Sequence, residues 1–475
     1  MLRDEDADTA RFQRSLLTRE STLHSVAEIL QWVAGIRQAT DCCIEPIPLA
    51  RLDGWSFDDR QGALCHRSGR FFRVEGVRVQ TNLERLGCWE QPILNQPEVG
   101  FLGLLAREID GVLHFLLQAK IEPGNLNQVQ LSPTLQATRS NYTRIHLGRA
   151  PAYLDYFNGE QPTQVIVDQL QSEQGGRFLH KRNRNMVVEL DADTRIPVHD
   201  AFRWATLGQI KQLMAENNLV NMDLRSLVAG MPLAPSQDPC SADAVSDAVF
   251  GEQRGDCRSL FDDGPPIHSF NQLISWITRL KFRYELTAER IPVQDVRHWH
   301  YDGNCIHHED HKYFSVIGVD VKIAGREVAQ WQQPMIRPAQ EGILGFLVQR
   351  VGGVLHFLVQ AKVEAGNFDT LELAPTVQCL TGNYRPGHNA YEVPFLDEFL
   401  QPDNSRVWHR SLQSEEGGRF FQEQNLNIIV ELDESRHLEL PENYCWMTLR
   451  QLMVFLQFNN YLNIGARSLI SLLCP

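Results

Sequence analysis

The sequence predicts an α/β (α+β) protein built from two related domains in tandem, each a mixed sheet packed by helices. Three observations predict it. The stretch Val112–Tyr142 returns as Val354–Tyr384, at a constant shift of 242 residues. Within both copies apolar and polar residues alternate, the period of a strand with one face buried. Helix-start patterns recur at matching places around the copies, and a tract rich in Pro, Ser, Asp and Gly has no counterpart. The domains are accordingly placed at residues 1–231 and 266–475, joined by a linker at 232–265. A repeat of about 200 residues is far too long for a solenoid and marks a duplicated domain.

Residues 1–20 are charged and read as a helical or frayed arm. His24–Ile36 is an amphipathic helix with Val26, Ile29, Leu30 and Val33 on one face. Its partner begins at His268, at a shift of 244, as do Ile291-Pro292 against Ile47-Pro48 and Trp299 against Trp55. By His66 and His308 the shift is 242, so a two-residue length change lies between. Strands follow at Phe71–Val74 and Tyr313–Val316, then Trp89-Glu90-Gln91-Pro92 and Trp331-Gln332-Gln333-Pro334. Beyond the long copied stretch, LQSEQGGRF (170–178) is answered by LQSEEGGRF (412–420), and strand Met186–Leu190 by Ile428–Leu432. Thr206-Leu-Gly-Gln209 and Thr448-Leu-Arg-Gln451 fit capping boxes that open the closing helices.

The copied stretch divides its labour between two faces. Leu113, Phe115, Leu117, Ala119 and Ile121 form one apolar set, while Gln118, Lys120 and Glu122 share the other face. Glu122-Pro-Gly-Asn125 has turn chemistry, and the next run presents Ser132, Thr134, Gln136 and Thr138. A solvated face would tolerate any polar residue. Here Gln118, Lys120, Glu122, Thr134 and Gln136 recur as Gln360, Lys362, Glu364, Thr376 and Gln378, which favours a surface that meets a ligand. The paired Trp55, Trp299, Trp89 and Trp331 suit core filling, and one of each pair also suits a platform for a planar base. Gly175-Gly176-Arg177 suits either a glycine turn or a diphosphate contact made through backbone N–H groups and a guanidinium. The halves differ beside it: His180-Lys-Arg-Asn-Arg184 against Gln422-Glu-Gln-Asn-Leu426, partly offset by Arg385, Arg406 and Arg410.

Other classes fit poorly. A net charge of −14 argues against a binder of nucleic acid that works by neutralising phosphates. The ten cysteines show no C-x-x-C pair or disulfide framework, as reduced thiols of a cytoplasmic protein would. The first residues are too charged for a signal peptide, and no apolar run would span a membrane. Dinucleotide, P-loop, α/β-hydrolase and H-E-x-x-H motifs are absent. His298, His300, Cys305, His307, His308 and His311 crowd one loop, but in no recognised zinc spacing, and read as polar surface.

QAKIEPGN, LSPTLQATRSNY, LQSEQGGRF, RNRNM and NLVNMDLRS together resemble the NDP-hexose 2,3-dehydratases of deoxysugar biosynthesis, over nearly the whole chain. The second half departs at Ala365 for Pro123 and Leu426 for Arg184. The resemblance implies tandem Nudix-like domains without the Nudix catalytic box, and no such box occurs here. It implies dTDP-4-keto-6-deoxy-D-glucose as substrate, its 3,4-diketo-2,6-dideoxy derivative as product, and a role in antibiotic sugar biosynthesis. A homodimer without cofactor or metal, upstream of a 3-ketoreductase, is expected. The chemistry needs a base for the C3 proton, an acid for the C2 hydroxyl and a donor at the C4 ketone. Candidates for acid and base are Glu122, Tyr142, His146 and Glu173 with their counterparts Glu364, Tyr384, His388 and Glu415, and Lys120 or Lys362 for the ketone. Substrate-binding candidates are the four tryptophans, Gln118, Thr134, Gln136, Thr138, Arg139, Ser140, Asn141, Ser172 and Arg177. In the second half they are Gln360, Thr376, Gln378, Thr381, Gly382, Asn383, Ser414 and Arg419. Two alternatives stand beside catalysis. One is a nucleotide-sugar carrier serving a ketoreductase; the other is a scaffold whose polar hairpins meet a protein. One half is also expected to bind nucleotide without turnover.

Overall fold

The computed structural model describes residues 5–58, 60, 62–83, 87–138, 151–233, 264–324, 328–380 and 393–473. The first half runs α1 (Glu5–Leu17), α2 (Val26–Ala39), β1 (Cys42–Ile47), β2 (Trp55–Asp58), β3 (Ala63–His66), β4 (Arg73–Thr81) and β5 (Cys88–Asn95). It continues with β6 (Gly100–Ile109), β7 (Val112–Ile121), β8 (Val129–Ser132), β9 (Leu135–Ala137), β10 (Gln164–Ser172), β11 (Arg182–Leu190), β12 (Phe202–Thr206), α3 (Leu207–Ala215) and α4 (Met222–Ala229). The second half repeats this order from its own amphipathic helix: α5 (Phe270–Arg283), β13 (Leu286–Ile291), β14 (Trp299–Tyr301), β15 (Cys305–His308), β16 (Phe314–Ile323), β17 (Gln330–Pro338) and β18 (Gly342–Val351). It closes with β19 (Val354–Lys362), β20 (Glu372–Ala374), β21 (Val377–Leu380), α6 (Asp397–Leu400), β22 (Val407–Ser414), β23 (Gln424–Glu431), β24 (Tyr444–Met447), α7 (Leu449–Leu456) and α8 (Ile464–Leu472). Complete capping boxes at Ser25, Thr206, Ser269 and Thr448 start α2, α3, α5 and α7. Asn221 and Asn463 cap α4 and α8. None of the helices of the described residues is long and apolar enough to cross a membrane.

Each half carries a seven-stranded mixed sheet, ordered β10-β11-β6-β7-β12 in the first and β22-β23-β18-β19-β24 in the second. The hairpin β6–β7 splays beyond Leu105 and Leu116, and β8 and β9 fill the gap, β8 on β7 and β9 on β6. Thr134 sits at the apex of the splay. Its hydroxyl donates to the Leu116 carbonyl and accepts from the Leu105 N–H at 2.9 Å. Thr376 does the same with Leu358 and Leu347. Both threonines are fully buried, so their recurrence follows from the architecture.

The small sheets were not legible. Each exchanges a strand with the other half. β1 lies antiparallel on β16, with Ile47 opposite Gly318, and β13 lies on β4, with Ile291 opposite Gly76. A Cβ at Gly318 would stand 2.7 Å from the Ile47 carbonyl oxygen, so the crossing strand needs glycine there. The boundaries at 231 and 266 therefore divide the repeat, while each five-stranded small sheet draws strands from both sides. One continuous apolar core joins the apolar faces of both large sheets to α1–α5, α7 and α8. A second core, with Trp55, Phe72, Trp299, Phe314, Phe178 and Phe420, sits between the small sheets. Where α4 meets α8, Arg225 and Arg467 are both fully buried. Arg225 Nε donates to Ser468 Oγ and Arg467 Nε to Ser226 Oγ, both at 2.9 Å. A guanidinium of one half also reaches a strand end of the other: Arg225 bonds the Ser414 carbonyl and Arg467 the Ser172 carbonyl. The halves are thus tied by exchanged strands, a shared core and reciprocal buried arginines.

Candidate active site

The exchange also delivers the glycine loops. The loop 415–420 lies against the Glu122-Pro-Gly-Asn125 turn, where Gly124 N donates to Gly417 O at 2.7 Å and Gln422 N to Gly124 O at 2.9 Å. The loop 173–178 docks on Glu364-Ala-Gly-Asn367 in the same way, Gly366 N to Gly175 O at 2.7 Å. There is no room for side chains at these contacts: a Cβ at Gly124 would meet the Phe420 carbonyl oxygen at 1.6 Å, and one at Gly366 would meet that of Phe178 at 1.7 Å. Gly175 and Gly417 pack on Asn367 and Asn125. Of the two readings of this segment the packing favours the glycine turn: Gly175 lets one half's backbone approach the other half's turn. Arg177 and Arg419 are likewise crossed. Arg177 lies over the Phe314 ring at 4.3 Å and Arg419 over the Phe72 ring at 4.2 Å, each in the opposite half.

A cavity of ≈ 1670 Å³ opens above the polar face of β7. Gln118, Lys120, Glu122, Thr134, Gln136 and Thr138 line it, as the alternation of the hairpin predicts, and Glu173 joins them from the end of β10. Lys120 Nζ is 3.1 Å from Glu122 Oε1, with only 16% and 9% of their side chains exposed, so neither projects into bulk water. Gln136 Nε2 donates to the same Glu122 oxygen at 3.2 Å, and Asn221 steadies Gln136. Glu173 accepts from the Asn183 amide, and its Oε2 has no hydrogen-bond partner. Burial, reinforced by Glu416, lifts the Glu173 carboxyl to about 7 against the pull of Arg467 and Lys181.

Three further charged groups face this cavity that sequence reasoning did not select. Asp223, in the first turn of α4, is 2% exposed and its Oδ1 has no partner. Burial, then Glu173, Glu416 and Glu122, pushes its carboxyl well above the usual range. Lys181 bonds the Glu98 carbonyl; burial lowers its ammonium pKa, and Glu173 opposes that. Glu416 arrives from the second half with Arg419, and burial raises its carboxyl despite that arginine. At the exposed end the lining carries Arg67, Arg70, Arg73 and Arg290. Arg290 comes from the exchanged strand β13, and buried Glu75 ties it to Arg73 at 3.6 and 4.0 Å.

The remaining predicted residues fall elsewhere. Trp55 is buried and donates to the Gln332 carbonyl at 2.9 Å, with part of its surface on the cavity. Trp299 packs against Phe314 and His308 inside the second core, which makes it a core residue. Trp89 and Trp331 each donate to the glutamine two residues on, and only Trp331 reaches the cavity. Ser172 and Ser414 bond Glu372 and Gln130 of the opposite half and hold the halves together. In the second half Lys362 stands 3.6 Å from Glu364 and donates to the Gln378 carbonyl at 2.8 Å. Gln378 donates to Glu364 at 3.3 Å, and Gln360 is half-buried on the same face. Glu415 accepts from Asn425 and from Gln174. Of the basic run 180–184, Arg182 turns to Phe368 and Arg184 pairs with Asp168. Arg139, Ser140, Asn141, Tyr142, His146, Thr381, Gly382, Asn383, Tyr384 and His388 lie outside the described residues.

A lysine–carboxylate pair lining a cavity, beside carboxyls whose pKa burial raises, is equipped to move protons without redox. A family model described as NDP-hexose 2,3-dehydratase matches residues 26–231 and again 270–473. The chain belongs to that family. The chemistry of the NDP-hexose 2,3-dehydratases is that of a hydro-lyase, which suits a cavity that gathers several carboxyls and a lysine. The chain is similar over 98% of its length, at 46% identity, to the dTDP-4-dehydro-6-deoxy-alpha-D-glucopyranose 2,3-dehydratase of Saccharopolyspora spinosa, covering 94% of that protein. Proteins of the same description from Amycolatopsis orientalis and Streptomyces violaceoruber are each 41% identical, over 99% and 93% of this chain and 94% and 95% of theirs.

Proposed function

We propose that this 2,3-dehydratase acts on dTDP-4-keto-6-deoxy-D-glucose, and that the first-half cavity is where it does so. The observation that carries the reading is the convergence of the Lys120–Glu122 pair, Glu173 and Asp223 in a cavity whose exposed end is lined by arginines. Its volume of ≈ 1670 Å³ exceeds the roughly 300–1,000 Å³ of most small-ligand pockets and suits a nucleotide linked to a hexose. Arg73 and Arg290 take the diphosphate, and half-buried Trp331 is the platform left for the thymine ring. The hexose then reaches the polar face of β7. Lys120 donates toward the C4 oxygen, which acidifies C3–H, and Glu122 takes that proton. The electron pair forms the C2–C3 double bond as the C2 hydroxyl leaves as water. The enol then becomes the 3-ketone by gaining a proton at C2, with no net oxidation. The diketone is reactive, so a 3-ketoreductase is its natural consumer, and a homodimer remains the proposed assembly in the cytoplasm. Incubating the pure protein with the keto-sugar and following its mass tests the reading. Loss of one water, followed by breakdown of the diketone, is expected; unchanged substrate over many enzyme equivalents overturns it.

A further inference from the structure

We propose that Asp223 and Glu416 together form the acid that protonates the departing C2 hydroxyl, so that the second half completes the first half's active site. The proposal rests on the dehydratase reading above and adds the residues that complete it. Both side chains line the cavity that holds Lys120 and Glu122. Asp223 offers an oxygen that is buried and has no partner among the described residues, a state that a ligand in the cavity would relieve. Glu416 reaches the cavity only because the loop 415–420 is docked on the Glu122 turn through Gly124 and Gly417.

The division of roles follows from the neighbours. Glu122 receives Lys120 and Gln136 on one oxygen, which fixes its carboxyl on the cavity wall where a base must stand. Asp223 faces Glu173, Glu416 and Glu122, with Lys120, Arg225 and Arg467 as the opposing cations, and its carboxyl stays raised by burial and by those acids. Glu173 is the weaker claimant for this task, since Glu415 repeats it, bonded to Asn425 as Glu173 is to Asn183. Neither member of the proposed pair is repeated. The counterpart of Asp223 is Gly465, and that of Glu416 is Gln174, which donates to Glu415. At Gly465 a Cβ would already stand 3.0 Å from Gln378 Oε1. In the step itself, Asp223 or Glu416 gives its proton to the C2 oxygen as the C2–O bond breaks, and Glu122 holds the proton from C3. Glu122 then gives the proton it took from C3 to C2 of the enol while the 3-hydroxyl returns a proton to the pair, which restores both groups and leaves the 3-ketone and one water.

Asp223→Asn and Glu416→Gln keep shape, and the chain already accepts glutamine at the position matching 416. Each variant should dehydrate about 100-fold or more slowly than the wild type. In heavy water both should still exchange the C3 hydrogen of the substrate for deuterium, because the base is intact. Glu122→Gln should lose exchange and dehydration together. Wild-type rates of dehydration in both variants overturn the proposal, as does loss of exchange along with dehydration, which marks a structural role. A wild-type protein that neither exchanges nor dehydrates removes the underlying reading instead.

Discussion

The first-half cavity and the matching region of the second half share a frame and differ in their charges. Both have the splayed hairpin, the threonine at its apex, the lysine–glutamate pair and a glycine loop from the other half. The first has Asp223, Lys181, Arg73, Glu75 and Arg290 where the second has Gly465, Glu423, Ser315, Ile317 and Pro46. The loop entering the first brings Glu416, whereas the loop entering the second brings Gln174. The frame needs both copies, because each loop and each crossing strand completes the neighbour's structure. On the proposed reading the chemistry needs one. The lysine–glutamate pair recurs with the frame, whereas Asp223, Glu416, Arg73 and Arg290 do not, and these set the first half apart.

Replacing the paired lysines should widen the contrast most. Lys120→Ala should lower kcat by about 10²–10³, the loss typical of removing a donor to a developing oxyanion. Lys362→Ala should leave kcat within about threefold, a shift on the order of 0.7 kcal/mol. Equal losses in steady-state assays would erase the distinction. Glycine substitutions separate interlocking from chemistry. Gly124→Ala and Gly366→Ala force near-identical collisions, so each should lower the melting temperature by at least about 4–8 °C on a thermal scan. Only Gly124→Ala should also reduce turnover, because it displaces the loop that carries Glu416.

The smallest expected effect concerns pH. Burial lifts the carboxyls of Glu372 and Glu423 to about 8, opposed by the Ser172 hydrogen bond and by Arg177 respectively. A raised folded-state pKa means the folded protein binds protons that the unfolded chain releases. That stabilisation is complete below the ordinary glutamate range and is lost as pH rises through about 8. The melting temperature should therefore fall between pH 6 and pH 9, by about a few degrees. Glu372→Gln and Glu423→Gln should flatten the decline, and a curve that rises across this window would contradict the assignment.

Much of this was legible in the sequence, for a physical reason. Alternation along a strand fixes which side chains share a face, so Gln118, Lys120 and Glu122 could be grouped without coordinates. Capping boxes are local too, and Thr206 and Thr448 were read correctly. Alternation does not name a strand's partner, so nothing in Cys42–Ile47 announced pairing with Phe314–Ile323. Glu416 was hidden for the same reason: its sequence neighbours belong to one half and its cavity to the other. Asp223 was hidden because repetition was the filter, and Gly465 stands in its place. The glycines were noticed but left between two tasks, since a tight backbone approach and a phosphate cradle leave the same residue type.

The central claim is that the first-half cavity turns over and the second half supports it. Turnover of dTDP-4-keto-6-deoxy-D-glucose by Glu122→Gln and Glu364→Gln, measured side by side with the wild type, tests it most directly. Glu122→Gln should lose activity by about 10²–10⁴ while Glu364→Gln stays within a few-fold of wild type. A large loss in Glu364→Gln with activity retained in Glu122→Gln would contradict the claim.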